Sequence, residues 1–263
     1  MLIKVEKKAD FAVIRLAHPP VNALSEGLRR DLAQVLDDLG DDPSMGAVVL
    51  TGDDSIRDIF CGGSDITEFE LSADSKWGGE RAKREMGRIE HMRQQRLPLI
   101  AAVNGPALGG GLELVLACDV VIASDTATFG FPEIKLGVFP GSHALSLATR
   151  ILGVARTRLL SLTGQRVDAA WMERAGLVSE IVPRDQLLVR AMEIAREIAS
   201  HSHSSVRCVR DITTDIMAPS AQESRLIGIC CDIVTQSPEA KRRVEEFFNS
   251  RREKPNTTSL KAT

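Results

Sequence analysis

The sequence lacks cysteine pairs of the C-x-x-C type and long apolar runs, and each absence excludes a class of protein. Its five cysteines are odd in number and have no metal-ligand spacing, which favours a reduced intracellular protein over a zinc site or a disulfide framework. No apolar stretch is long enough to span a bilayer, and the first residues lack the apolar core of a signal peptide. We therefore expect a cytoplasmic protein with no metal site and no membrane partner.

The sequence also lacks an excess of basic residues. Its formal net charge is -3 and its pI is near 6.0. A nucleic-acid-binding domain usually carries a basic excess, so we expect no nucleic-acid partner. With 263 residues, of which 43% are hydrophobic, the chain is long enough for one large core or for a main domain with a smaller appendage.

The first half of the chain has the pattern of an α/β protein. Residues 2–7 and 11–16 are predicted to form a hairpin. Residues 25–40 carry a helical apolar stripe that begins at Ser25, a good N-cap, and ends at a glycine. Three short apolar runs follow, and runs of this kind are typical of strands buried on both faces of a parallel sheet. These runs are residues 46–52, 97–105 and 119–125.

The second half is predicted to be mostly helical. Beyond residue 140 nearly every segment has helical periodicity, and only residues 177–183 have the pattern of another strand. Residues 70–80 are expected to form a mobile loop, and residues 253–263 a frayed tail with little to bury.

A glutamate inside an apolar run is the most unusual local feature. In NGPALGGGLELVLACD, residues 104–119, three glycines precede Leu112, and Glu113 follows it. A glutamate is almost never fully buried unless it is paired. The pattern is neither a G-x-G-x-x-G fingerprint nor a phosphate loop. Two uses remain open, namely a helix N-terminus whose N–H faces an oxyanion, or glycines that let a helix pack closely on a sheet.

Two further glycine-containing stretches could likewise serve either a site or a structural turn. In IFCGGSDITEF, residues 59–69, a tight turn would expose the N–H of Ser64, while Asp65 would equally serve as the N-cap of a short helix. In ATFGFPEIKLGVFPG, residues 127–141, Glu133 follows a proline and stands in a first turn or a loop. Each stretch alone is more typical of a structural turn than of a site.

Taken together, these stretches resemble the crotonase, or enoyl-CoA hydratase/isomerase, superfamily, and the similarity covers most of the chain. The segments that carry it are, in order, HPPVNALS (18–25), FCGGSDI (60–66), PLIAAVNGPALGGGLELVLACD (98–119), FGFPEIKLGVFPG (129–141), LTGQRVDAAWMERAGLVSEIVP (162–183) and SPEAKRRVEEFF (237–248). The resemblance implies an α/β fold in which β-β-α units form a crotonase-like spiral over residues 1–195. It also implies a helical C-terminal trimerisation region with a flexible tail over residues 196–263.

The resemblance also implies a site that acts on acyl thioesters of coenzyme A. By motif position, the backbone N–H groups of Ser64 and Gly110 would form an oxyanion hole that stabilises an enolate. Glu113 and Glu133 match the pair of glutamates that hydratases of this family use. In hydration Glu113 would be the base that activates water, and Glu133 the acid that protonates C2. No cofactor is expected, since coenzyme A is part of the substrate.

The chain departs from the usual family pattern near the expected acyl group. His143 and Ala144 replace small, glycine-like positions, so His143 would narrow the pocket, touch a polar acyl group, or cap the following helix, and the cap is favoured. Thr67 stands where relatives often carry a lysine, and Ser64 where alanine is common. The residues expected to contact substrate are Ser64, Asp65, Ile66, Thr67, Gly110 and His143.

The resulting hypothesis is a cytoplasmic lyase of fatty acid metabolism that adds water reversibly to a 2-enoyl-CoA, giving a 3-hydroxyacyl-CoA. Alternatives are an enoyl-CoA isomerase, a hydratase of a branched, cyclic or polar acyl-CoA, and a non-catalytic relative that binds RNA or protein. The two glutamates and the acidic pI argue against the last of these. The resemblance further implies a homotrimer, or a hexamer built as a dimer of trimers.

Overall fold

A two-stranded hairpin begins the chain, as predicted. The computed structural model describes residues 2–70 and 77–252. Strands β1 (Ile3–Lys7) and β2 (Phe11–Leu16) pair antiparallel, with Ile3 opposite Leu16. Only β2 is buried along its length, because it lies inside the sheet while β1 forms an edge.

Helix α1 (Glu26–Gly40) also confirms the sequence analysis. The Ser25 side chain accepts a hydrogen bond from the backbone N–H of Leu28 at 3.2 Å, which caps the first turn. One face of the helix is buried against the sheet. The buried side chains on this face are Leu28, Arg29, Leu32, Val35, Leu36 and Leu39.

The predicted loop over residues 70–80 is only partly testable, and its end is wrong. After strand β3 (Ala47–Gly52) come helices α2 (Thr67–Glu70) and α3 (Trp77–Arg93). Residues 71–76 lie outside the described residues, and residues 77–80 begin α3. The N–H of Gly79, which has no acceptor within its own helix, donates to Asp232 Oδ1 at 2.7 Å. The cap comes from far along the chain, so local sequence does not reveal it.

The central part of the chain alternates strands with short helices. Its elements are β4 (Leu99–Val103), β5 (Ala107–Leu108), α4 (Gly110–Leu116), β6 (Val120–Ser124), β7 (Thr128–Gly130) and a 3-10 helix at Pro132–Leu136. The strand predictions for residues 97–105 and 119–125 are confirmed by β4 and β6.

The rest of the described chain is mostly helical, as predicted. Its elements are α5 (Ala144–Leu152), α6 (Val154–Thr163), β8 (Arg166–Asp168), α7 (Ala169–Arg174), β9 (Glu180–Val182), α8 (Leu187–Ala199), α9 (His203–Ile216), α10 (Ala221–Gln236) and α11 (Pro238–Arg252). Strand β9 was predicted, whereas the three-residue β8 was not. The domain boundary at residue 195 stays a prediction and falls inside α8, and residues 253–263 lie outside the described residues.

A six-stranded sheet organises the core in the order β1-β2-β3-β4-β6-β9, and all its pairs except β1–β2 are parallel. Alternate residues face opposite layers. In β2, Ile14 packs in the cluster that includes α1 and α4, while Val13 packs in the cluster that includes α8. Both faces of the inner strands are therefore covered, which explains their continuous apolar runs.

No helix in residues 2–70 and 77–252 is long and apolar enough to cross a membrane. Helix α1, for example, carries its buried side chains on one face. The cytoplasmic location stays a prediction.

Candidate active site

A second, three-stranded sheet brings the two predicted glutamates to one place. Strand β5 pairs in parallel with β7, with Leu108 opposite Gly130, so both strands end at the same edge. Helix α4, which carries Glu113, begins just after β5, and the 3-10 helix that carries Glu133 begins just after β7. Both glutamates line the same cavity.

Glu113 is almost fully enclosed, with 7% of its surface exposed. Burial raises the pKa of its carboxyl, and hydrogen bonds from the side chain and backbone of Ser142 act in the opposite direction. Among nearby charges, Glu85 raises this pKa and Arg29 lowers it. Ser142 thus favours the charged carboxylate in surroundings that otherwise disfavour it.

Glu133 is less enclosed than Glu113 as a whole residue, and its carboxyl has fewer hydrogen-bond partners. It lies in the first turn of the 3-10 helix, directly after Pro132. Its Oε2 atom is buried and, among the described residues, has no hydrogen-bond partner. Burial, together with the charge of Glu113, raises the pKa of Glu133 to about 8. At neutral pH this carboxyl is therefore protonated, while Ser142 favours the charged form of Glu113.

The pKa of Glu133 predicts that the Glu133→Gln variant gains stability over the wild type as pH rises from about 5 to about 8. The folded carboxyl keeps its proton up to about pH 8, whereas in the unfolded chain it ionises near 4.5, so the wild type loses stability across this window. Each tenfold difference in proton affinity corresponds to at most about 1.4 kcal/mol. Melting temperatures at pH 5 and pH 8 measure the effect.

Glu197→Gln is the control for this experiment, because Glu197 is exposed on α8. Its melting temperature should follow that of the wild type at both pH values. A Glu133→Gln advantage that stays constant or shrinks towards pH 8 would contradict the protonated state assigned to Glu133.

Two backbone N–H groups lie together beside the glutamates. Leu24 pairs with the segment at Ser64, and Cys61 pairs with Ala107 at the start of β5, so the 61–65 segment runs alongside β5 towards α4. A Cβ built on Gly110 would lie 3.3 Å from the Ser64 nitrogen. In the described part of the chain, neither the N–H of Ser64 nor that of Gly110 donates to a main-chain carbonyl. Neither of these two N–H groups is therefore used in the backbone pairing of the described residues.

The cavity lined by Ser64 and the two glutamates has a volume of about 860 Å³. Its inner wall combines the glycine segments with polar side chains, and its outer wall comes from α10 and α11. Lining side chains near the glutamates include Ser64, Ile66, Arg81, Glu85, Ser142 and Cys231. Across residues 2–70 and 77–252, no group of histidine, cysteine, aspartate and glutamate side chains could hold a metal ion.

The expected substrate contacts separate into two groups. Ser64 and Ile66 line the cavity, whereas Gly110 lies beside Ser64 without being one of the lining residues. Asp65 and Thr67 do not line it: Asp65 Oδ1 instead accepts hydrogen bonds from the backbone N–H of Thr67 at 3.0 Å and from its hydroxyl at 2.6 Å. Asp65 therefore closes a turn just before α2, and it lies one residue before the N-cap position predicted for it. Substrate contact by Asp65 and Thr67 stays a prediction, because neither residue lines the cavity.

His143 also lies outside the cavity lining. It stands at the start of α5 with a φ of 65°, but its side chain makes no hydrogen bond that caps the helix. Its Nε2 atom lies 2.9 Å from Ser224 Oγ on α10, and its Nδ1 atom is buried. His143 thus occupies the favoured N-cap position of α5, while its side chain joins α5 to α10.

Three residues that shape the site were not predicted from the sequence, namely Ser142, Arg29 and Glu85. Ser142 lowers the pKa of Glu113, and Arg29 donates to Ser64 Oγ at 2.9 Å. A signal for Arg29 existed, since its spacing of three from Leu32 places a cation on the apolar face of α1. Glu85 has no comparable signal, because its role depends on how α3 packs against α1.

The sequence of the chain matches a known protein family. Residues 6–227 match the family model described as enoyl-CoA hydratase/isomerase, which covers well over half of the chain. The chain belongs to the enoyl-CoA hydratase/isomerase family. The resemblance inferred from the ordered glycine and glutamate segments is thereby confirmed.

Individual members of the enoyl-CoA hydratase/isomerase family match over most of the chain. A Mycobacterium bovis protein named a probable enoyl-CoA hydratase is 39% identical over 225 residues, which cover 85% of each chain. A short-chain-enoyl-CoA hydratase of Clostridium acetobutylicum is 32% identical over 258 residues, which cover 93% of this chain and 97% of the relative.

Solved structures of this family share the fold. A Xanthobacter autotrophicus enoyl-CoA hydratase/isomerase superposes with a TM-score of 0.84 at 26% identity, covering 96% of this chain and 94% of that chain. A Bacillus anthracis enoyl-CoA hydratase gives 0.76 at 29% identity, covering 95% and 97%. The predicted crotonase-like α/β fold with a helical C-terminal region is confirmed.

Proposed function

We propose that this member of the family is an enoyl-CoA hydratase, which adds water reversibly to a 2-enoyl-CoA to give a 3-hydroxyacyl-CoA. The observation that carries the proposal is a pair of carboxyls, Glu113 and Glu133, that line one cavity beside two unused backbone N–H groups. The names of the relatives from Mycobacterium bovis and Clostridium acetobutylicum support the same reaction.

Glu113 is the proposed base. Burial raises the pKa of Glu113, and Ser142 opposes this rise. The charged form of Glu113 is the one that accepts a proton. It takes a proton from water as the water oxygen bonds to C3 of the substrate. The electron pair of the C2–C3 double bond then moves towards the thioester carbonyl, whose oxygen becomes an enolate oxyanion.

The proposed acid is Glu133. Its raised pKa of about 8 keeps its proton available at neutral pH. That proton passes to C2 as the enolate collapses back to the thioester, so one proton enters at C2 and one hydroxyl at C3. In dehydration the two glutamates exchange roles. Because the two carboxyls interact electrostatically, they titrate as a pair.

The backbone N–H groups of Ser64 and Gly110 are the proposed donors to the enolate oxygen. They are held by the chain before any substrate enters, so they need no reorganisation during the reaction. A donor of this kind contributes about 3 kcal/mol to transition-state stabilisation in a water-excluded site. Both donors act where negative charge develops, and neither depends on side-chain chemistry.

Cationic side chains along the cavity support coenzyme A as the carrier of the acyl group. Coenzyme A is polyanionic through its phosphates, and lysine and arginine bind phosphate groups well. The cationic residues that line the cavity from the 3-10 helix, β8 and α11 are Lys135, Arg166, Lys241 and Arg243. We assign them to the phosphates by charge.

An isomerase is the second candidate, because the family model covers both activities. Moving a double bond requires one base that takes and returns a proton, and no water. The buried Glu133 carboxyl with its raised pKa would then have no assigned task. The presence of two carboxyls in the cavity therefore favours the hydratase.

Crotonyl-CoA is the substrate with which to test the proposed function. We expect the purified protein to hydrate it, which is followed by loss of the ultraviolet absorbance of the conjugated thioester. A 3-enoyl-CoA offered to the same protein should give no conjugated product. Formation of that product without hydration of crotonyl-CoA would replace the hydratase by the isomerase.

We also propose that the protein assembles as a homotrimer, alone or as a dimer of trimers. Helices α9 and α10 each expose an apolar stripe of helical spacing, and contiguous apolar surface of this kind marks an interaction site. The residues of the two stripes are 51–74% exposed, and they are Val209, Ile212, Ile216, Leu226, Ile229 and Ile233. A mass of one chain in sedimentation equilibrium would contradict the trimer.

A further inference from the structure

A buried arginine lies behind the proposed oxyanion hole. Arg29, on α1, has 8% of its surface exposed. An arginine is rarely buried unless it is paired. Arg29 has three close partners, and Glu68 Oε2 lies farther away, 4.0 Å from its Nη1 atom. Its Nη1 atom donates to the backbone carbonyl of Leu24, its Nη2 atom donates to Ser64 Oγ at 2.9 Å, and its Nε atom lies 2.7 Å from Glu85 Oε2.

These partners belong to three separate elements. Leu24 precedes α1, Ser64 belongs to the segment before α2, and Glu85 is on α3. A planar guanidinium presents its donors in a rigid fork, so one side chain fixes the spacing of all three elements. Glu85 is itself held from a second side, since Arg88 Nη1 lies 2.7 Å from its Oε1 atom.

The backbone around Ser64 shows which groups Arg29 and its partners hold in place. Leu24 donates its N–H to Gly63 O at 2.8 Å and accepts the N–H of Asp65 at 3.1 Å. These bonds hold the residues on both sides of Ser64 and leave the N–H of Ser64 unused. Because Arg29 binds both the Leu24 carbonyl and the Ser64 hydroxyl, it connects the two segments that pair at Leu24 and Ser64.

We propose that Arg29 is a positioning residue that aims the N–H of Ser64 at the oxyanion and, together with Glu85, sets the electrostatic field at Glu113. The inference rests on the proposed function. It assigns roles to the Arg29 guanidinium and the Glu85 carboxylate, in addition to the two glutamates and the two N–H donors. Neither residue needs to touch the reacting atoms.

Charged and titratable groups reach Glu113 from several elements. Arg29 on α1 and Glu85 on α3 line one small cavity together with Glu113. Arg29 lowers the pKa of Glu113, and Glu85 raises it. Glu133 on the 3-10 helix interacts with it as the second carboxyl of the pair. The thiols of Cys61 and Cys231 are also close enough to sense its charge, and burial raises the pKa of each thiol to about 12. The thiols are therefore neutral at working pH. Arg81 on α3 lines the same cavity as Glu113, and Arg29 and Glu85 are the opposing charges whose effect is tested below.

The positioning role predicts a loss in kcat with little change in KM. Arg29→Lys keeps the charge but loses the fork, and Ser64→Ala keeps the backbone N–H but loses the hydroxyl that Arg29 holds. Each should lower kcat for crotonyl-CoA about tenfold, since small misplacements of a positioned group carry penalties of this order. KM should change less than about twofold, because an oxyanion contact acts mainly in the transition state.

The electrostatic role predicts pH shifts of opposite sign. Removing the positive charge in Arg29→Gln should move the acid limb of kcat/KM to higher pH, since the Glu113 carboxylate loses a stabilising cation. Removing the negative charge in Glu85→Gln should move that limb to lower pH. Each shift should reach at least about half a pH unit. A purely structural role would reduce activity without opposite shifts.

Arg30→Gln is the matched control, because it makes the same charge change on the same helix at a side chain that is 75% exposed. It should leave kcat and the pH profile unchanged. Arg29→Gln is expected to fold, since Glu85 keeps Arg88, and circular dichroism verifies this. Should that variant unfold, Arg29→Lys and Ser64→Ala, which preserve every charge, carry the kinetic test.

A carbon-13 NMR titration of the Glu113 carboxyl, identified by its loss in Glu113→Gln, tests the same inference without substrate. Opposite pKa shifts in Arg29→Gln and Glu85→Gln support it even if no enoyl-CoA is hydrated, a result that would overturn only the proposed function. Shifts of the same sign, or none, overturn the electrostatic role. Unchanged kcat in both Arg29→Lys and Ser64→Ala overturns the positioning role.

Discussion

Replacing either Glu113 or Glu133 by glutamine should lower kcat for hydration of crotonyl-CoA by about 10²–10⁴-fold. Glutamine has nearly the same shape, but it can neither take a proton from water nor give one to C2. Both groups line the same cavity, so substrate binding should be less affected than turnover. The initial rate of absorbance loss measures kcat and KM for each variant.

The pH dependence of the wild type provides a second readout of the same pair. Activity should fall above about pH 8, because Glu133, whose pKa is raised to about 8, then loses the proton it must donate. It should fall at low pH as Glu113 becomes protonated. Glu197→Gln, on the exposed face of α8, should retain the full rate and the same profile. Full activity in Glu113→Gln or Glu133→Gln would remove that residue from the mechanism.

The Gly109→Ala variant should lose about 10²-fold or more in kcat, although Gly109 carries no chemistry of its own. Its φ of 52° and ψ of -122° form a conformation that L side chains rarely adopt. A Cβ at this position would lie only 2.6 Å from Glu133 Oε1 and 3.3 Å from its Cδ atom. The substitution must therefore strain the turn before α4 or displace the proposed acid.

Gly87→Ala separates this effect from a general cost of adding a methyl group. Gly87 is exposed within α3, and a Cβ there would meet no atom within 4 Å. Alanine is favoured over glycine in a helix by about 1 kcal/mol, so this variant should match or exceed wild-type stability with unchanged kcat. A Gly109→Ala protein with wild-type kcat, assayed below its melting temperature, would show that the close approach of Glu133 is unimportant.

Local sequence was sufficient wherever an element carries its own signals. The stripe of α1 and its Ser25 cap could be predicted because helix periodicity and capping act within a few residues. The buried strands β3, β4 and β6 were recognisable from their apolar runs. The start of α3 was not, because the N–H of Gly79 is satisfied by Asp232, which is 153 residues away in sequence.

The candidate site shows the same division. Glu113, Glu133, Ser64 and Gly110 could be named from ordered motifs, and the structure places all four at one end of the small sheet. The side-chain contact of His143 could not be predicted, since its partner Ser224 lies on α10.

The amino-acid sequence by itself determined the family, the α/β front with its helical back, and which glutamates and glycines are available for chemistry. Only the tertiary structure decided how those groups work, because pKa values and hydrogen bonds depend on neighbours that folding brings from distant segments. Ser142 comes to Glu113 from the turn before α5, and Glu85 reaches Arg29 from α3. Charge and solvent exclusion act through space, and no local pattern of residues records them.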